Sequence, residues 1–132
     1  MTIAYICILI AVLLPYCWTM VAKISGERFD NRAPREWLGK QSNPRVHRAN
    51  AAQLNAFEAL PILVASILLA QLAGVPTSLI DILASVFVLA RIMHGLFYVA
   101  DRDKARSMVW FIGFACCIAL IVMAIIETTG GS

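Results

Sequence analysis

The first charged residue in this chain is Lys23, and the 21 positions Thr2–Ala22 are all uncharged. As a helix rising about 1.5 Å per residue, that run extends about 30 Å, the thickness of a bilayer's hydrocarbon core. A cleaved signal peptide would carry a basic stretch before a shorter apolar core and a small-residue cleavage site. Nothing basic precedes this run, and Val21-Ala22-Lys23-Ile24 is a poor cleavage site. The expectation is a retained membrane helix over 2–22, bent or locally opened at Pro15.

Three further apolar stretches follow. A helix over 45–72 starts after Ser42-Asn43-Pro44 and stops at Gly74-Val75-Pro76. Its first half is polar (Arg45, His47, Arg48, Asn50, Gln53, Asn55, Glu58), so it needs partners to cover that face in lipid. A third helix over 77–100 is interrupted by Asp81, Arg91 and His94, and a fourth over 106–127 is apolar from Met108 to Ile126. The connection Lys23–Pro44 carries five cations and three acids, and its Arg32–Gly39 segment reads as a short surface helix dipping Trp37 and Leu38 into the membrane interface.

Composition excludes the rival classes. Hydrophobic residues make up 61% of the 132 and charged residues 14%, against about 45–50% and about 25% in soluble domains. A chain this short cannot hide so much apolar surface in its own interior, so a soluble monomer, a disordered chain and a disulfide-stapled scaffold are excluded. The net charge of +3 does not make a nucleic-acid face, because ten of the eleven cations lie at 23–48 or 102–106, beside the apolar runs. By the positive-inside rule both basic connections are cytoplasmic and both termini lie on the other side. Cys7, Cys17, Cys116 and Cys117 sit in apolar stretches without metal-ligand spacing; they read as packing residues, and no metal is expected. The fold class is all-α, a single multi-pass four-transmembrane-helix bundle over 1–132.

Ionisable groups inside a membrane mark functional sites. The second helix places Arg48, Asn55 and Glu58 on one stripe, and the third places Arg91, His94 and Tyr98 on another. Counted from the basic ends, Glu58 and Arg91 each stand about 15 Å deep, at matching height for an ion pair across the bundle. Such a pair can fix packing register alone, or Arg91 can use its spare donors to hold an anion. Arg48 and Arg106, at the basic ends of the second and fourth helices, either anchor headgroups or form an anion site that lowers the pKa of a bound thiol.

The run Arg48-Ala49-Asn50-Ala51-Ala52-Gln53-Leu54-Asn55-Ala56-Phe57-Glu58-Ala59-Leu60-Pro61 resembles the second-helix motif of the MAPEG family, the membrane-associated proteins of eicosanoid and glutathione metabolism. Ala90-Arg91-Ile92-Met93-His94-Gly95-Leu96-Phe97-Tyr98 resembles that family's third-helix motif. The resemblance implies a homotrimer, with glutathione bound in a crevice between neighbouring subunits. It implies either a membrane-bound glutathione transferase or glutathione-dependent peroxidase acting on small lipophilic electrophiles, or a non-catalytic member that binds lipid or a partner. Arg48, Gln53, Asn55, Glu58, Arg91 and His94 are the positions it implies for glutathione, whereas Arg106, Tyr98 and Arg102 are those it implies for the thiolate. Ala51 stands where many members have a second arginine, which removes one carboxylate clamp; Arg45 is an alternative source of that charge. The small size and basic loops suit a bacterial inner membrane, with lipid and other copies of the chain as partners.

Overall fold

The computed structural model describes residues 1–130 and contains five helices: α1 (Thr2–Ser25), α2 (Pro34–Lys40), α3 (Pro44–Ala73), α4 (Thr77–Val99) and α5 (Asp103–Gly130). All but α2 are long and apolar enough to cross a membrane, with mean hydropathies of 2.1, 1.9, 1.9 and 2.8 in chain order. The protein is an integral, multi-pass, all-α four-helix bundle. Its outer surface carries large apolar side chains such as Leu9, Leu72, Leu89 and Phe111, which water would not tolerate over such an area but lipid does.

Local chemistry sets the helix ends. At the start of α3, Pro44 takes the first helical position and the Asn43 side chain accepts from Arg45 N at 3.0 Å. The same Asn43 amide donates to Ser25 O at 2.9 Å, tying the end of α1 to the start of α3. α3 ends at Gly74, in the left-handed region at φ 86°, while Val75 N donates back to Ala70 O at 3.0 Å, the double-turn stop that glycine favours. Between α4 and α5 the left-handed position falls on Asp101 at φ 59°, and Arg102 N returns to Phe97 O at 2.8 Å. Aspartate tolerates that conformation better than most residues. This tight turn directs the first coil of α5 back over the end of α4.

α3 and α4 form the middle of the bundle, with α1 and α5 each packed against both. Small residues interleave with large ones at the contacts and let backbones approach where lipid provides no hydrophobic drive between helices. On α1 the buried stripe is Ala4, Cys7, Ala11, Leu14, Trp18 and Ala22; on α3 it includes Ala49, Ala52 and Ala56. At Gly95 of α4 the backbone lies directly against Trp18, where a Cβ would overlap the indole. Asp81 accepts from Ala4 N at 2.9 Å; it therefore caps α1 from α4 and adds negative charge at the positive end of α1. Pro15 is fully buried inside α1.

The short helix α2 departs from its expected placement. Trp37 does not dip into the membrane interface: it is 8% exposed, packs with Ala22, Val46 and Ala49, and donates its indole N–H to Arg28 O at 3.0 Å. An indole that can fill a gap between α1 and α3 and still satisfy its N–H is better placed there than in headgroups. α2 therefore closes the basic end of the bundle.

Candidate functional site

Three helices present polar side chains to one lateral crevice. From α3 come Asn55 and Glu58, one turn apart; from α4, Arg91, His94 and Tyr98; from α5, Arg106 and Trp110. Spacings of three and four put each set on a single helix face. The crevice has a lower chamber of about 340 Å³, beside His94, Tyr98 and Arg106, and an upper one of about 180 Å³, beside Arg91, Glu58 and Cys117. Asn55 and Trp110 border both.

Arg91 is 5% exposed and donates from Nη2 to Asn55 Oδ1 at 2.8 Å. It makes no other hydrogen bond among the described residues, so most of its five N–H donors have no acceptor within the subunit. The expected ion pair with Glu58 is not formed: no Glu58–Arg91 contact within 4.0 Å exists among the described residues, and Glu58 is exposed on the crevice wall. Helix register explains the exchange. Arg48 Nε donates to Val99 O at 3.2 Å, which levels those two residues. Arg91, eight residues before Val99, is then about 12 Å up, closer to Asn55 at about 10 Å than to Glu58 at about 15 Å.

In the lower chamber the Arg106 guanidinium lies over the Tyr98 ring, 4.3 Å from its centroid. Tyr98 meets His94 edge to face at 5.6 Å. The contact with Arg106 is a cation–π arrangement that holds the guanidinium in place without using its N–H donors. His94 is 3% exposed, and its Nδ1 is buried with no hydrogen-bond partner. An orphaned buried ring nitrogen is costly in an isolated protein and is relieved by a ligand or water. Two guanidiniums with unused donors and an unsatisfied imidazole, held by three helices, suit an anionic, peptide-like molecule.

The remaining expected residues are elsewhere. Arg48 is half-buried and bonded to the carbonyl end of α4, a position where a cation also complements the helix dipole. Arg102 is exposed and borders neither chamber, whereas Arg106, one turn on, borders the lower one. Gln53 faces the opposite way, into a groove of about 700 Å³ between α1, α2 and α3 that also holds Lys23, Arg35 and Asn50. Trp110, Phe114 and Cys117 escaped sequence reasoning, because they lie within an apolar span whose periodicity has no polar contrast. Their spacing from Arg106 by four, four and three was the available signal. All four cysteines are free, and among the described residues no cluster of three or more His, Cys, Asp or Glu side chains could hold a metal ion.

No curated protein and no solved structure matches the chain. A family model described as MAPEG family does match, over residues 3–126. That span takes in all four membrane helices and every side chain of the crevice. The chain belongs to the MAPEG family.

Proposed function

We propose that the protein is a membrane-bound glutathione transferase or glutathione-dependent peroxidase acting on lipophilic electrophiles. The observation that carries this reading is the crevice: Arg106 over Tyr98 beside His94 at the lower chamber, and Arg91 with donors to spare at the upper one. A chamber of about 340 Å³ falls within the range of small-molecule sites.

The physical scheme needs no protein nucleophile. Arg91 supplies a cation for a carboxylate of the tripeptide, and the exposed Glu58 carboxylate supplies an anion for its ammonium group; Arg48, engaged with Val99 O, lies outside the crevice. Arg106 favours the ionised thiol, because a neighbouring cation stabilises the thiolate over the thiol, and the Tyr98 hydroxyl is a second donor. The electrophile arrives dissolved in lipid and meets the sulfur at the open side. Proximity and the raised thiolate fraction provide the rate gain. A homotrimer, with both termini on the non-cytoplasmic side and the basic ends facing the cytoplasm of a bacterial inner membrane, completes the reading.

The second reading, a non-catalytic member that binds lipid or a partner, draws on Ala51, which leaves no second arginine on that turn of α3. The two readings differ in one measurement. Glutathione added to purified protein should bind and give ultraviolet thiolate absorbance at neutral pH. Binding without thiolate, or no binding, favours the non-catalytic reading.

A further inference from the structure

The upper chamber differs in kind from the lower one. Its walls are Ile62, Phe87, Trp110 and Phe114, and among the described residues its only ionisable neighbours besides the Cys117 thiol are Arg91 and Glu58. Trp110 and Phe114 lie parallel, centroids 5.2 Å apart and planes 12° apart, while Phe111 meets Trp110 edge-on at 5.1 Å. One turn of α5 thus fixes the Trp110 plane as a rigid aromatic wall shared by both chambers. A flat ring laid on such a wall gains offset-stacking contact that a flexible chain does not.

We infer that the upper chamber is the electrophile site, and that it selects planar enones of one or two fused rings, such as quinones, whose carbonyl oxygen faces Arg91. Size sets the ring number: a dry cavity of about 150 Å³ holds a benzene ring, and this one measures about 180 Å³ and opens to the side. Charge sets the functional group. Arg91 is held at 2.8 Å by Asn55 through Nη2 alone, which leaves four N–H donors, enough for a carboxylate of the tripeptide and for an electrophile oxygen that becomes negative during reaction.

This inference rests on the glutathione reading for its chemistry. The thiolate lone pair forms a sulfur–carbon bond at the carbon β to the carbonyl. The C=C electron pair shifts into the bond to the carbonyl carbon and the carbonyl π pair moves onto oxygen, giving an enolate held by Arg91, and the enolate then takes up a proton equal to the one the thiol released. For a quinone the product is the thioether-substituted hydroquinone, with no outside oxidant or reductant.

The test begins without glutathione. The protein has three tryptophans, so fluorotryptophan labelling gives three fluorine resonances, with that of Trp110 identified by Trp110→Phe. Naphthalene should shift the Trp110 resonance saturably and leave those of Trp18 and Trp37 in place. Anthracene should shift it only in Ile62→Ala, where the wall is cut back. With glutathione, Trp110→Ala should lower kcat/KM for naphthoquinone about tenfold more than for a linear alkenal. Three resonances moving together, anthracene binding the natural protein as readily as naphthalene, or an equal loss on both electrophiles would overturn the inference. A Trp110 shift without any thiolate signal would remove the transferase reading and leave the aromatic site. A thiolate signal without the shift would do the reverse.

Discussion

Replacing Asn55 by leucine removes the only acceptor Arg91 has among the described residues. A hydrogen bond to a charged group contributes about 1.5–3 kcal/mol, and stripping a buried charge of its partner costs about 3–5 kcal/mol. Arg91 is 5% exposed, but its free donors border the crevice, where water can partly replace the amide. The expected loss is therefore about 2–3 kcal/mol. Arg91→Leu removes the charge itself and leaves a half-buried asparagine that water can reach, so it should cost within about 1 kcal/mol. In that background Asn55→Leu should cost almost nothing. Unfolding by added denaturing detergent in mixed micelles, at fixed protein concentration and followed by two probes, measures the cycle. An equal loss from Asn55→Leu with and without Arg91 would refute the reasoning.

Three further outcomes are expected. Gly95→Ala drives a methyl into the Trp18 indole and should cost about 1–3 kcal/mol in the same assay, with recovery when Trp18 is also cut to alanine; no recovery would place the strain elsewhere. Asp81→Ala removes the cap that α4 supplies to Ala4 N. It should lower stability by about 1–2 kcal/mol, with little change in glutathione binding. Arg106→Gln should abolish the thiolate absorbance of bound glutathione while the assembly stays intact, whereas Arg102→Gln, at an exposed position bordering neither chamber, should leave it.

The helix inventory was legible because its signals are local. Uncharged length reports a span, Asn43-Pro44 a start and Gly74-Val75-Pro76 a stop, each acting within one turn. The stripe Arg91, His94 and Tyr98 was legible for the same reason: charge at spacings of three and four stands out against an apolar run. Register between helices was not. An offset of about 3 Å between α3 and α4, two residues rather than a full turn, decided that Arg91 meets Asn55 rather than Glu58, and nothing in either helix alone encodes that offset. The inward turn of Trp37 depends likewise on a gap between α1 and α3 that exists only after packing. Trp110 and Phe114 were hidden in a uniformly apolar span, where every face looks alike until its neighbours are known.

α3, α4 and α5 direct ionisable side chains into one crevice, and the proposed function requires that this crevice hold glutathione by its charges. An experimental map of the protein with glutathione bound tests this most directly. The predicted result is peptide density along the crevice, with a carboxylate within hydrogen-bonding distance of Arg91 at the upper chamber and sulfur beside Arg106 in the lower one. Density confined to another face, or Arg91 and Arg106 turned out toward lipid, would contradict it.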